Sequence, residues 1–464
     1  MAVTLKFLGG TGDVTGSSHL VSTKKSQILL DAGLFQGHRD AFYQVNANFN
    51  YNPHMINALI ISHAHIDHCG NLPSLIKKGL RCKIYATRAT KDLCKLMLED
   101  SGKIQEEDVR YVNKINRRLG MPLRKPLYTS KEASKAVKRI RPISYNQKLC
   151  LTADVSVTLF DAGHILGSAI IVLDIKDDTN PLRLGYAVDL GRKGLPMLND
   201  PTIVKGLDYL ILESTYGGRF HAPIEEAKNK LKEVINRTIA RNGKILIPSF
   251  TLERTQEVIY FLNELLKEKA IPQVPVFVDS PLATDITDAF QNHIDYMNKE
   301  TRSAINKGDN PFEFLSLRYI RNQNDSKALN NDKRPMIIIA GSGMCESGRI
   351  LHHLKNNIEV SRNTVLVVGY MARDTLGKRL VDKERFVRIF GVEHELNAQV
   401  EVINSFSGHA DQNELLDFIS QCLPLKRVFL VHGDEDQSKA LSEALAQRGI
   451  AAYLPHKDEE VKLN

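Results

Sequence analysis

The chain has 464 residues, 42% hydrophobic and 25% charged, with a formal net charge of +8 and a pI near 9.0. That length points to two globular domains, and the basic balance permits an anionic partner such as nucleic acid. No apolar run approaches the ~20 residues of a membrane span, and six scattered cysteines without a CxxC pair argue against a disulfide framework or a cysteine zinc site.

The chain begins "MAVTLKFLGG", without the basic segment and apolar core of a signal peptide, so a cytoplasmic protein is expected. Strand-like runs follow in order: "VTLKFLGG", "SSHLVST", "QILLDAG" and "NALIIS". "NLPSLIKKG" reads as a helix with Leu72, Leu75 and Ile76 on one face, stopped by Gly79. From about 88 to 140 the pattern is helical and strongly charged, most simply as solvated faces. Strands return at "VSVTLFDAG", "AIIVLDI", "LRLGYAVDLG" and "LDYLILEST". Helices at 224–242 and 253–268 then alternate with "KILIPSF" and "VPVFVDS", which suggests βαβ units and a parallel sheet. The polar stretches around 306–335 read as exposed loops, before "MIIIAGSG" opens into a Gly-rich turn. The tail holds "TVLVVGY", "VEVINSF", a helix at 412–421, "RVFLVHG" and a last helix at 437–448.

One stretch stands apart. "ISHAHIDHCGNLP" places His63, His65, Asp67 and His68 where a buried strand turns into a helix. Ligand sites of α/β proteins favour such strand ends, and clustering that many polar groups without partners is costly. Other polar residues also fall where apolar strands stop: Asp31, His164, Asp189, Glu213, His409 and His432. Imidazole and carboxylate donors suit zinc, and two close ions need a shared carboxylate plus about three further ligands each. His63, His65 and His164 would serve one ion, Asp67, His68 and His432 the other, with Asp189 bridging. Asp31 suits either the orientation of a metal-bound imidazole or ordinary turn formation. "GGTGDVTGSS" lacks the GK[ST] of a phosphate loop and is expected to be a tight hairpin bordering the site.

HxHxDH, the His164 of "GHILGSA" and Asp189 together resemble the metallo-β-lactamase fold. "LESTYGGRFH", "SFSGHADQ" and "VHGD" resemble motifs A, B and C of the β-CASP nucleases, a family that includes ribonuclease J and the nuclease subunit of pre-mRNA cleavage and polyadenylation. "IPSFTLERTQE", "GSGMCESGRILHHL" and "GYMARDTLGKRL" agree, so the likeness covers nearly the whole chain. The chain departs by Gly408 and Val188, neither of which removes a functional group. No counterpart is expected to the KH domains of archaeal relatives or to the long C-terminal extension of ribonuclease J.

The resemblance implies an α/β fold: an αββα metallo-β-lactamase sandwich from residues 1–208 and 393–464, with an inserted β-CASP domain over 209–392. It further implies a hydrolase of single-stranded RNA with two zinc ions per chain, acting as an endonuclease or a 5′-exonuclease. Products would be a 5′ phosphate and a 3′ hydroxyl. His432 in motif C favours RNA over DNA. Asp67, Glu213 and His409 are the catalytic candidates, with His409 as the acid for the leaving oxygen and Glu213 orienting it. Ser249, Arg254, Ser342, Ser347, Arg349 and Ser407 are candidates for RNA contact, and Arg349 suits an internal salt bridge equally well. A homodimer is expected by the same resemblance. A small-thioester or lactam hydrolase and a non-catalytic RNA-binding scaffold are the competing readings.

Overall fold

A computed structural model describes residues 3–37, 39–176 and 181–464. The chain divides into two compact units. The first comprises residues 1–193, 199–220 and 409–464, and the second comprises 194–198 and 221–408. Among the described residues, no helix is long and apolar enough to cross a membrane, and all six cysteines are free.

The first unit is built on two seven-stranded sheets. In spatial order the first runs Glu460–Leu463, Val3–Gly9, Ser18–Ser22, Gln27–Leu30, Ala58–Ile60, Lys83–Ala86 and Ile140–Pro142. The second runs Ala452–Tyr453, Arg427–Val431, Tyr209–Glu213, Leu182–Ala187, Ala169–Ile175, Val155–Asp161 and Leu149–Cys150. Both are mixed: Gln27–Leu30, Ala58–Ile60 and Lys83–Ala86 pair in parallel, whereas Val3–Gly9 pairs antiparallel with both neighbours. Leu5, Ile28, Ile60, Val157, Ile171, Leu184, Ile211 and Phe429 form one core between the sheets. The opposite face of the second sheet gives Ile170, Leu210, Leu212 and Leu430 to the helices Gln412–Cys422 and Glu435–Gln447 through Leu415, Ile419, Leu441 and Leu445. Strands covered on both faces must be apolar throughout. That is why "ALII" and "YLIL" read as continuous runs and not as alternations.

The second unit holds a six-stranded parallel sheet in the order Leu317–Tyr319, Val276–Val278, Ile337–Ala340, Ile245–Pro248, Thr364–Val367 and Gln399–Val402. Helices Ile224–Ala240, Arg254–Lys267, Pro281–Asn292 and Arg349–Asn357 accompany it. Leu246, Ile338, Val365 and Val400 pack with Ile350, Leu354, Leu376 and Leu380. A separate two-stranded ribbon pairs Phe386–Ile389 with Val392–Glu395.

The expected βαβ units and parallel sheet are found in the second unit, where the alternation of helices with "KILIPSF" and "VPVFVDS" suggested them. The units divide near 220 and 408, compared with the expected switches after 208 and 392. Tyr209–Glu213 stays with the first unit because it pairs with Leu182–Ala187 and Arg427–Val431. Gln399–Val402 belongs to the second because it pairs with Thr364–Val367. The polar stretch read as a loop contains the helix Gln323–Asn331, capped by Asn322. It buries only Ser326 and Leu329, too few to give a hydrophobic period.

Candidate metal centre

The strand Ala58–Ile60 ends on Ile61, whose N–H still pairs with the Tyr85 carbonyl at 2.8 Å. The chain then leaves the sheet through His63 and enters the short helix Ile66–Cys69 with His65 at its N-cap. The Asp67 carbonyl accepts the Ser17 N–H at 2.8 Å, and a Cβ on Gly33 would lie 1.7 Å from that oxygen. No residue but glycine fits there, so the Gly-rich turn and the histidine turn are locked together. The first hairpin also borders the site through Gly10, whose carbonyl accepts the His432 N–H at 2.6 Å.

Seven side chains converge in two groups. In the first, His63 Nε2 is 3.1 Å from His65 Nδ1, and His164 Nε2 is 3.3 Å from the same atom. Asp189 Oδ2 lies 3.5 Å from His63 Nε2 and 3.3 Å from His164 Nε2. In the second, His432 Nε2 is 3.2 Å from His68 Nε2 and 3.4 Å from Asp67 Oδ2. Asp189 Oδ1 faces this group, 3.6 Å from His68 Nε2 and 3.0 Å from His432 Nδ1. One carboxylate thus turns one oxygen to each group.

These spacings fit cations. Ligand bonds of about 2.0–2.1 Å in a tetrahedral site put ligand atoms roughly 3.3–3.4 Å apart. Asp189 Oδ1 is buried and accepts no well-directed hydrogen bond despite its nearness to His432. Burial and the neighbouring His63 push His65 down to about 3, and burial with His409 nearby holds His164 well below its ordinary value. Both rings are therefore neutral, the form a cation requires. In the second group burial opposes charge, but Asp189 and its fellow carboxylates outweigh it and raise His68 and His432. That field favours positive charge.

Asp31 is fully buried and orients the second group. Its Oδ2 lies 2.8 Å from His68 Nδ1 and accepts from Ser62 Oγ at 2.7 Å and Tyr186 Oη at 2.9 Å. The Ser62 N–H donates to Oδ1 at 2.7 Å. Of the two roles open to Asp31, the geometry is that of holding an imidazole.

His409 stands beside the first group, its ring centroid 4.5 Å from that of His164. Its Nδ1 lies 3.0 Å from Oε2 of the buried Glu213, whose other oxygen accepts the Leu190 N–H. Burial acts to lower the His409 pKa, but Glu213 and Asp189 outweigh it and hold the ring above its ordinary value.

Three supporting side chains were not among the expected site residues, although Ser62 and Thr215 lie within the histidine turn and "LESTYGGRFH". Tyr186 sits inside a strand, and Ser62 Oγ is 3.0 Å from His63 Nδ1. Thr215 Oγ1 is 3.2 Å from His432 Nδ1 and donates to the His432 carbonyl at 2.9 Å. Nothing in the spacing marks them; only the shared strand ends of Asp189, Glu213 and His432 hint at neighbours there.

The RNA-contact candidates fall in the second unit. Ser249 and Ser342 follow adjacent parallel strands, and the Ser249 N–H reaches the Ala340 carbonyl at 3.1 Å. Ser249 is buried, with its hydroxyl engaged by Thr255 and the Phe250 carbonyl. Ser342 Oγ accepts the N–H groups of Glu346 and Ser347 at 3.1 and 3.3 Å. Arg254 pairs with Glu257 and lies over the Phe406 ring. Arg349 forms the internal salt bridge, 2.6 Å to Asp279 Oδ1, and donates to the Ile320 and Arg321 carbonyls. Ser407 is nearly buried at the end of a single helical turn. Both arginines are engaged within the unit, Arg254 by Glu257 and Arg349 by Asp279.

Three family models match the chain: a metallo-beta-lactamase superfamily domain over residues 20–205, a Beta-Casp domain over 255–380, and a Zn-dependent metallo-hydrolase RNA specificity domain over 393–455. The chain is 37% identical to ribonuclease TTHA0252 of Thermus thermophilus over 453 residues, covering 98% of each. It is 32% identical to the transcription termination factor FttA of Pyrococcus horikoshii, over 98% of this chain and 70% of that one. The FttA of Methanosarcina mazei is 31% identical, over 95% and 68%. A crystal structure of a protein of unknown function from Enterococcus faecalis shares the fold along the full length of both chains, with a TM-score of 0.59 at 14% identity.

Proposed function

The chain belongs to the β-CASP family of the metallo-β-lactamase superfamily, and on that premise we propose that it hydrolyses phosphodiester bonds of single-stranded RNA with two zinc ions, leaving a 5′ phosphate and a 3′ hydroxyl. The observation that carries this reading is Asp189, with one oxygen toward His63 and His164 and the other toward His68 and His432. An imidazole and carboxylate donor set of this kind suits zinc.

When bound, the cations would supply Lewis acidity toward a phosphate and lower the pKa of a water molecule. The protein's own groups do the remaining work. Asp31 keeps Nε2 of His68 turned inward by taking the hydrogen bond of Nδ1. Glu213 fixes His409 in the same way, which leaves Nε2 to carry a proton. That proton is delivered to the leaving 3′ oxygen, so the ribose departs as a neutral hydroxyl. The match to an RNA specificity domain and the ribonuclease relative support RNA as the substrate. Homodimeric assembly is what the family resemblance implies.

The test is cleavage of single-stranded RNA labelled at either end by purified, metal-assayed protein. Internal products indicate an endonuclease, and mononucleotides released from the 5′ label indicate a 5′-exonuclease. Protein with two bound cations that cuts neither substrate rejects the proposal.

A further inference from the structure

The ribbon of the second unit ends in an unusual turn. Ile389 pairs with Val392, so Phe390 and Gly391 form a two-residue loop with φ of 52° and 78°. Such loops favour Asn-Gly, because ordinary L-residues resist positive φ. A phenylalanine suits the first position poorly, and at 54% exposure this one gains little from burial. Its ring instead lies 4.8 Å from that of His352, tilted by 40°. Strain held at an exposed position points to use.

Both rings line a groove of about 870 Å³ bounded by the helices Gln323–Asn331 and Arg349–Asn357. Lys327 and Arg388 also line it, and neither forms an ion pair with a described residue. Glu346 is the one carboxylate among the lining residues, and it accepts the Leu376 N–H at 2.6 Å. Beneath the groove, fully buried Asp279 receives Ser326 Oγ, Arg349 Nη1 and His353 Nε2, each at 2.6 Å. That carboxylate joins the two helices, which also meet directly where Asn330 Oδ1 lies 3.0 Å from His353 Nδ1 and accepts Asn357 Nδ2 at 3.3 Å. Burial, the adjacent His353 and the cations Lys355 and Lys327 hold the His352 ring below its ordinary pKa. It is a neutral aromatic surface at neutral pH.

We propose that this groove binds a nucleotide of single-stranded RNA, with the base stacked on the Phe390–His352 pair and the phosphates facing Lys327 and Arg388. Aromatic stacking beside basic side chains is how single strands are held without sequence preference. The inference rests on RNA being the substrate, and it adds a site outside the metal centre.

Fluorescence anisotropy of the metal-loaded, full-length protein with a hydrolysis-resistant phosphorothioate oligouridylate tests it. Phe390→Asn suits the turn, so the variant should melt at a higher temperature yet bind about fivefold or more weakly. Phe390→Tyr should bind like wild type. The Lys327→Ala, Arg388→Ala double variant should flatten the dependence of log K on log salt by about 1.4, at roughly 0.7 per phosphate contact. These exposed side chains test the groove even if Phe390→Asn disturbs the ribbon. Unchanged affinity and salt slope in all variants, with wild type binding and cutting RNA, would overturn the groove alone. Wild type that binds no RNA would overturn the RNA reading with it.

Discussion

His409 Nδ1 sits 3.0 Å from Glu213 Oε2, and Glu213 is fully buried while the His409 side chain keeps 21% of its surface exposed. The arrangement fixes one edge of the ring inside the first unit and leaves part of the ring exposed. None of the short contacts that define the two ligand groups involves a His409 atom. His409→Ala should therefore retain its metal while turnover falls by about 10²–10⁴, the usual contribution of a general acid. Metal content and single-turnover cleavage check this. A variant that loses metal would make His409 a ligand instead.

Asp31 acts through His68. Removing the carboxylate in Asp31→Ala frees the imidazole and strands the donors of Ser62 and Tyr186. Affinity for the cation of the second group should drop about 10–100-fold, with the first group little changed. Competition titration with a chromophoric chelator resolves the two affinities; equal loss at both would contradict the assignment.

Arg349 and Asp279 give opposite expectations for structure and for phosphate contact. As a partner of a buried carboxylate, Arg349→Ala should lower stability by about 2–3 kcal/mol, measured by denaturant unfolding. A phosphate-binding arginine would leave stability unchanged and weaken RNA binding.

Acid stability should depend on Asp154. It joins the two sheets of the first unit by accepting Ser26 Oγ at 2.6 Å, Thr23 Oγ1 at 2.5 Å and Thr152 Oγ1 at 2.8 Å. Burial works against its charge, but these donors outweigh it and hold the carboxyl below the usual range. A depressed folded-state pKa gives stability that is present above the unfolded value near pH 4 and lost as pH falls through the folded one. Asp154→Ala should cost about 2–4 kcal/mol at pH 7 and progressively less under acid. Urea titrations at both pH values check the sign.

How much of this was legible follows from where information sits in a chain. The HxHxDH turn announced itself because several ligands are local, and Asp31, Asp189, Glu213 and His432 could be gathered because each ends an apolar strand. Tyr186 could not. Its hydroxyl meets Asp31 across 155 positions, and a tyrosine within a buried strand looks like core. The helix Gln323–Asn331 was hidden for the opposite reason, since its polar caps and nearly bare face leave no period to read. Arg349 was undecidable in sequence because its partner Asp279 lies 70 positions away.

The central claim is that Asp189 joins two cation sites. Crystals of zinc-loaded protein, measured at the zinc absorption edge, test it directly. Two anomalous peaks should appear, one bounded by His63, His65 and His164 and one by Asp67, His68 and His432, with Asp189 touching both. Zinc-saturated crystals with no peak there, or with one that leaves Asp189 unligated, would contradict the account.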